Sequence, residues 1–186
     1  MSKKNSDVLA VMIAKKNSTR LHGKNTKFFN GMPMFMWNLQ KLADLFENVV
    51  LDSDCDEMLK LGTELGVIGH KRKKTLLGND VPSVPIFKSI SDDYPDFSHV
   101  LNLQANSPNT SKNVIKNCAN IILLNEVSEV LTNYSSGEIN GSVWCFTRKR
   151  LQDYGDFYKH YPNVLVHDDS IDIHTEDDFL KALKYE

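Results

Sequence analysis

Lys15, Lys16, Arg20 and Lys24 put four cationic side chains into the twelve residues AKKNSTRLHGKN, Ala14 to Asn25. A bound triphosphate needs such charges together with free backbone N–H groups, and Gly23 lies where a turn could offer them. The GxxxxGK-Ser/Thr pattern of a Walker A loop is absent. A basic turn is also an ordinary solvated surface, so the cluster alone leaves both readings open. Further along, DSIDIHTEDDF sets Asp172 and His174 two residues apart, and on an extended segment their side chains point the same way. In the bland reading His174 hydrogen-bonds a neighbour and Asp172 turns the chain. QANSP gathers Gln104, Asn106 and Ser107, neutral groups suited to reading a sugar or a ribose. DSDCDE (Asp52 to Glu57) looks like a metal cluster but reads better as carboxylates complementing a helix dipole. HKRKK (His70 to Lys74) reads by default as a solvated run.

These groups need elements to place them, and the pattern supplies alternating strands and helices. Val8–Ile13, Val49–Leu51, Val67–His70, His99–Leu103, Glu129–Thr132, Ser142–Phe146 and Val164–His167 read as strands. Met34–Phe46 has helical spacing, as does the segment whose Met58, Leu61 and Leu65 share a face. Asp80 is expected to cap a helix with Pro82 in its first turn and Phe87 and Ile90 on its buried side. Thr110 or Ser111 starts another helix, and Thr175 with Asp178 forms a capping box for the last. Strands alternating with helices imply an α/β fold with a mostly parallel sheet covered on both faces. Ligands then bind beyond the carboxyl ends of the strands, which singles out the loops after Ile13, Leu51, Leu103 and Phe146.

Composition bounds the function. The 186 residues, 41% hydrophobic and 25% charged, fit one soluble domain over residues 1–186. The net charge of -2 argues against a general nucleic-acid binder. No run approaches the length of a membrane span, and the odd set Cys55, Cys118 and Cys145 reads as free thiols, so a cytoplasmic protein is expected.

The basic loop resembles the A-R-x-x-S-x-R-L-P-x-K-N signature of the acylneuraminate cytidylyltransferases, or CMP-sialic acid synthetases, and its core the matching loop of the CMP-Kdo synthetases. The likeness continues in order. NGMPMFMWNLQKL is similar to N-G-x-P-L-x-x-W-x-I, VVLDSDCDEM to V-V-V-S-T-D-x-x-E-I, and LLGND to L-A-x-D. LNLQANSPNTS resembles L-L-Q-P-T-S-P-L-R, INGSVWCF x-N-G-A-I-Y-x-F, and DDSIDIHTEDDF x-S-I-D-I-D-T-x-x-D-F. The resemblance implies a Rossmann-like nucleotidyltransferase fold and transfer of CMP from CTP to an acidic sugar with release of pyrophosphate. It implies that Ala14, Lys15, Asn17, Ser18, Arg20, Lys24 and Asn25 wrap the triphosphate, with Lys15, Arg20 and Lys24 neutralising it during catalysis. Arg72 or Lys73 would stand near the nucleotide and Asp80 near the cytosine, where a plain helix cap is the rival. Gln104, Asn106, Ser107 and Asn140 would orient the acceptor. Asp172 and His174 fall where the family holds magnesium on two aspartates. Asp172 suits Mg²⁺, whereas His174 suits Mn²⁺ and other softer ions better.

Two departures bear on the acceptor. Asn109 and Thr110 stand where the family pattern has Leu-Arg, and Glu138 and Ile139 where an arginine usually precedes the Asn-Gly pair, so an acidic substrate loses partners. Only 32 residue steps separate Pro108 from Asn140. The acceptor and dimerisation region, about 111–139, is therefore shortened, and any homodimer uses another surface than the usual arm. Two alternatives remain: a non-catalytic nucleotide-binding or regulatory homologue, and a nucleotidyltransferase with a different, smaller acceptor.

Overall fold

The computed structural model describes residues 4–18, 20–78, 80–154 and 160–185. Thr19 and Asn79, both within the motifs above, lie outside the described residues. β1 (Leu9–Ala14) has no polar face and is buried on both sides: Ala10, Met12 and Ala14 enter one apolar cluster, Leu9 and Val11 another. β2 (Phe28–Phe29) and β3 (Met32–Pro33) form a small hairpin whose turn holds Asn30 at φ 43 and Gly31 at φ 92. Asn-Gly is the pair that such a left-handed two-residue turn prefers. The chain continues through α1 (Met34–Leu45), β4 (Val49–Ser53), α2 (Asp56–Glu64), β5 (Ile68–Lys71), α3 (Ser83–Asp93), β6 (His99–Leu103) and α4 (Lys112–Ile122). It ends with β7 (Glu129–Asn133), β8 (Ile139–Thr147), α5 (Arg148–Gln152), β9 (Val164–His167) and α6 (Glu176–Leu183).

The large sheet has seven strands in the order β5-β4-β1-β6-β8-β7-β9. Every adjacent pair is parallel except β6·β8 and β7·β8, so β8 alone runs against the others. Side chains of α1, α2 and α4 cover one face and those of α3 and α5 the other. α6 packs Phe179 and Ala182 into a third cluster with Phe29, Met34 and Ile173, beside the basic loop. The α/β architecture with a mostly parallel sheet, expected from the alternation of strands and helices, is the one observed. No helix among the described residues is long and apolar enough to cross a membrane.

Two expectations need correction. Asp80 does not cap α3: Pro82 occupies the N-cap in an extended conformation (φ -69, ψ 165) and the helix starts at Ser83. Proline disfavours helical backbone in the residue before it, so Val81 stays outside the helix and the cap falls two residues beyond the proposed one. The loop after Phe146 is not at the ligand end of the sheet. Because β8 is antiparallel to β6, Thr147 pairs with His99 at the far end and Val143 with Leu103 at the near end. The start of β8 therefore faces the other loops. The two remaining caps are as expected, with Ser111 accepting from the Val114 N–H and Thr175 and Asp178 bonding reciprocally.

Candidate functional site

A cavity of about 310 Å³ opens where β1, β5 and β6 end and α3 begins. Lys15, Ser18, Arg20, Lys24 and Asn25 of the basic loop line it, with Arg72 after β5 and Asn106 after β6. Ile13, Val81 and Ile86 give it an apolar side. The loop is held in shape by its own polar groups. Asn25 Nδ2 donates to the Lys15 carbonyl (2.9 Å), and the Lys16 N–H donates to Asp54 Oδ1 (2.8 Å). Gly23, at φ 62, turns the chain into the 3₁₀ turn Lys24–Thr26. That left-handed conformation strains most other residues. Lys24 is 8% exposed, and its Nζ donates to the Ile173 carbonyl at 2.6 Å. Burial draws its ammonium down to about 8, with Asp172 pulling the other way.

Arg72 is placed by a buried ion pair that sequence reading missed. Its Nε donates to Asp52 Oδ1 at 2.6 Å, and the two side chains are 6% and 1% exposed. His70 Nδ1 lies 2.8 Å from the other Asp52 oxygen, and His70 Nε2 lies 3.0 Å from Asp93 at the end of α3. The hydrogen bond to Asp52 raises the His70 pKa, burial opposing it. The signal was available: Asp52 follows three apolar strand residues, and a carboxylate there must find a cation.

Asp172 and His174 do come together, but on each other. His174 Nε2 is 2.6 Å from Asp172 Oδ2, and Asn106 Nδ2 donates to Asp172 Oδ1. Neither lines the first cavity; both stand behind Asn106 and Lys24. The Ile173 N–H donates to the Asn106 carbonyl (2.9 Å), so this segment is stitched to the end of β6. His174 Nδ1 is buried with no partner among the described residues. No group of three or more His, Cys, Asp and Glu side chains able to hold a metal occurs among the described residues. Asp172 is the one hard oxygen donor of the pair, and each of its oxygens already has a partner, in Asn106 and His174.

A second cavity, about 520 Å³, adjoins the first and shares Ile13, Ser83, Ala105 and Asn106 with it. Gln104, Asn140, Gly141, Asn102, Trp144 and His160 also line it. Asn140 is there, but its amide is spent internally. Its Oδ1 accepts from Thr132 Oγ1 (2.6 Å) and the Ser142 N–H (3.1 Å), and its Nδ2 donates to the Asp168 carbonyl (2.5 Å). Gly141 has φ 64, and a Cβ there would come within 3.5 Å of Gln104 Nε2. Ser107 is fully buried and lines neither cavity, and its carbonyl accepts from Asn38. Ala14 is buried in β1, and Asn17 and Asp80 are exposed; none of the three lines either cavity.

The framework residues were hidden from the sequence reading. Asn38 on α1 donates to the carbonyls of Gln104 and Ser107, both at 2.8 Å. Lys41, one turn on, donates to the carbonyls of Pro108 (2.5 Å) and Thr110 (2.8 Å). Burial draws the Lys41 ammonium down to about 8, Asp168 opposing. Two polar residues three apart inside an apolar helix stripe were the available sign. Glu129, fully buried, accepts from Trp144 Nε1 (2.9 Å), Arg150 Nε (3.0 Å), the Tyr161 N–H (3.1 Å) and Tyr154 OH, and contacts His160 Nδ1 (3.0 Å).

Comparison with known proteins bears on this arrangement. The cytidylyltransferase family profile matches residues 9–176. The Danio rerio N-acylneuraminate cytidylyltransferase A is 25% identical over 108 residues, which are 57% of this chain and 25% of that protein. The chain thus matches about a quarter of that relative's length. A CMP:2-keto-3-deoxy-manno-octonic acid synthetase solved with CTP superposes with a TM-score of 0.74 at 10% identity, over 96% of this chain and 97% of that one. A Mycobacterium tuberculosis protein solved with manganese superposes with a TM-score of 0.72 at 13% identity, over 97% of this chain and 100% of that one.

Proposed function

Since the chain belongs to the cytidylyltransferase family, we propose that it transfers CMP from CTP to a hydroxyl of an acidic sugar and releases pyrophosphate. The observation that carries the reading is the junction at Asn106, where a cation-lined cavity meets an amide-lined one. The triphosphate lies along Lys15, Arg20, Lys24 and Arg72, with the base against Ile13, Val81 and Ile86. The acceptor lies beyond Asn106, its hydroxyl aimed at the α-phosphorus. Its oxygen forms the new bond to that phosphorus, the bond to the bridging oxygen breaks, pyrophosphate carries away the electron pair, and the hydroxyl proton passes to water. Such transfers depend mainly on positioning and on neutralising charge, which is what the loop's cations supply. A divalent ion, Mg²⁺ or Mn²⁺, held by Asp172 would polarise phosphoryl oxygens. His174 and Asn106 each hold one oxygen of the Asp172 carboxylate, and Lys24 ties the loop to the same segment through the Ile173 carbonyl.

The test is pyrophosphate release from each of the four nucleoside triphosphates, with Mg²⁺ or Mn²⁺ and a panel of sugar acids. Release with CTP and one acid is expected. A second reading, a nucleotide-binding homologue without turnover, is favoured by the closed Asp172–His174 pair and the lack of a three-ligand metal group among the described residues. CTP binding with no release in either metal would establish it instead.

A further inference from the structure

We propose that the second cavity takes the uncharged, hydroxyl-bearing tail of the acceptor and that Asn102 is the residue that reads it, an inference that rests on the acidic-sugar reading above. Asn102 of β6 pairs in register with Val11 of β1 and with Trp144 of β8, and Trp144 pairs with Leu131 of β7. Residues in register on neighbouring strands share a face. The row across the sheet is therefore Val11, Asn102, Trp144, Leu131: one amide among three apolar side chains. Asn102 is 4% exposed, and its Oδ1 has no hydrogen-bond partner among the described residues. A buried amide left in this state is costly and uncommon in native proteins. An apolar side chain would suit the row better if packing were the only demand.

The amide borders the second cavity beside Trp144, and turning about its last bond brings either its oxygen or its NH₂ to the opening. The rest of the wall specifies the ligand. Among the described residues lining this cavity none is Lys, Arg, Asp or Glu, and His160 is the only titratable one. The nearby carboxylate, Glu129, is fully buried and taken up by its own donors, so it does not face a ligand. A charge entering here would be stranded, whereas hydroxyls meet amides and C–H groups meet the Trp144 ring. In a 2-keto-3-deoxy sugar acid the carboxylate and the reacting anomeric hydroxyl sit on one carbon. That carbon belongs at the Asn106 junction beside the cations, which sends the polyol tail into the second cavity.

Wild type and Asn102→Leu are compared in CTP binding by calorimetry. Both are also assayed for pyrophosphate release with CTP, Mg²⁺ and either N-acetylneuraminic acid or 2-keto-3-deoxy-octonic acid. The variant is expected to melt no lower than wild type, to bind CTP unchanged, and to raise the acceptor KM about threefold or more with kcat held. Asn102→Ala replaces it where the leucine variant does not fold. An active wild type whose variant shows a smaller rise in acceptor KM overturns the role of Asn102 and leaves the cytidylyltransferase reading standing. Wild type that binds CTP but turns over neither acid overturns the acidic-acceptor reading and this inference together. Wild type that does not bind CTP removes the nucleotide reading on which both depend.

Discussion

Lys24 does two jobs with one ammonium, lining the first cavity and holding the Ile173 carbonyl at 2.6 Å. Lys24→Met is expected to weaken CTP binding about tenfold or more, the loss of one charge-assisted contact, as read by calorimetry. Asp52→Asn acts one step back from the ligand. It leaves Arg72, whose side chain is 6% exposed, without its counter-charge. Breaking one side of a buried pair typically destabilises by about 3–5 kcal/mol, which urea unfolding would detect. Lys112→Ala is the control, since its partner Asp44 is half exposed and such surface pairs contribute at most about 1 kcal/mol. Residues of this kind divide by how local their sign is. Lys15, Arg20 and Lys24, which line the first cavity, could be picked out from the ordered family pattern that runs through the loop, though not from its charge alone. The Asp52–Arg72 pair was not legible, because its members are twenty positions apart, one on β4 and the other just past β5, and only the β4·β5 register brings them together.

At the scale of elements, polar side chains decide where loops rest. Asn38 on α1 fixes the end of β6 by two carbonyls, so Asn38→Leu is expected to cost about 1–3 kcal/mol in urea unfolding and to raise acceptor KM through a looser Asn106. Glu129 joins β7 to β8 through Trp144 and to α5 through Arg150. Burial by itself would raise its carboxyl, but the bonds from His160, Tyr154, Tyr161 and Arg150 together hold it down at about 2, against an ordinary 4.5. A carboxyl depressed by folding adds stability above its unfolded value and loses it as pH falls toward the folded one. Stability measured by Trp fluorescence should therefore decline between about pH 4.5 and 2, and less steeply in Glu129→Gln, which starts from a lower plateau. Most strands and helices were legible from periodicity to within a residue or two, but the β2–β3 hairpin, α5 and the first three residues of β8 were not. The direction of β8 was not, since an apolar run has the same period whichever way it points. That single reversal moved one expected ligand loop to the wrong end of the sheet.

For the molecule as a whole, all three cysteines are free and buried, and they belong to the same apolar cluster on one face of the sheet. Burial pushes the Cys118 thiol up to about 12 and Cys145 well above its ordinary value. A thiol reagent at pH 8 should therefore label none of them in the native protein and all three once the sheet opens. Labelling then reports global unfolding. Rapid native labelling would mean that this face of the sheet is looser than its packing implies. The reversed strand has a wider consequence. The first cavity is walled by the ends of β1, β5 and β6 and the start of α3. The second cavity adds Ile139, Asn140 and Gly141 from the first residues of β8, just past a turn closed by the Tyr134 N–H on the Glu138 carbonyl at 2.8 Å. On the proposed reading, a change in that hairpin tip alters the wall of the second cavity while Lys15, Arg20, Lys24 and Arg72, which line only the first, stay in place.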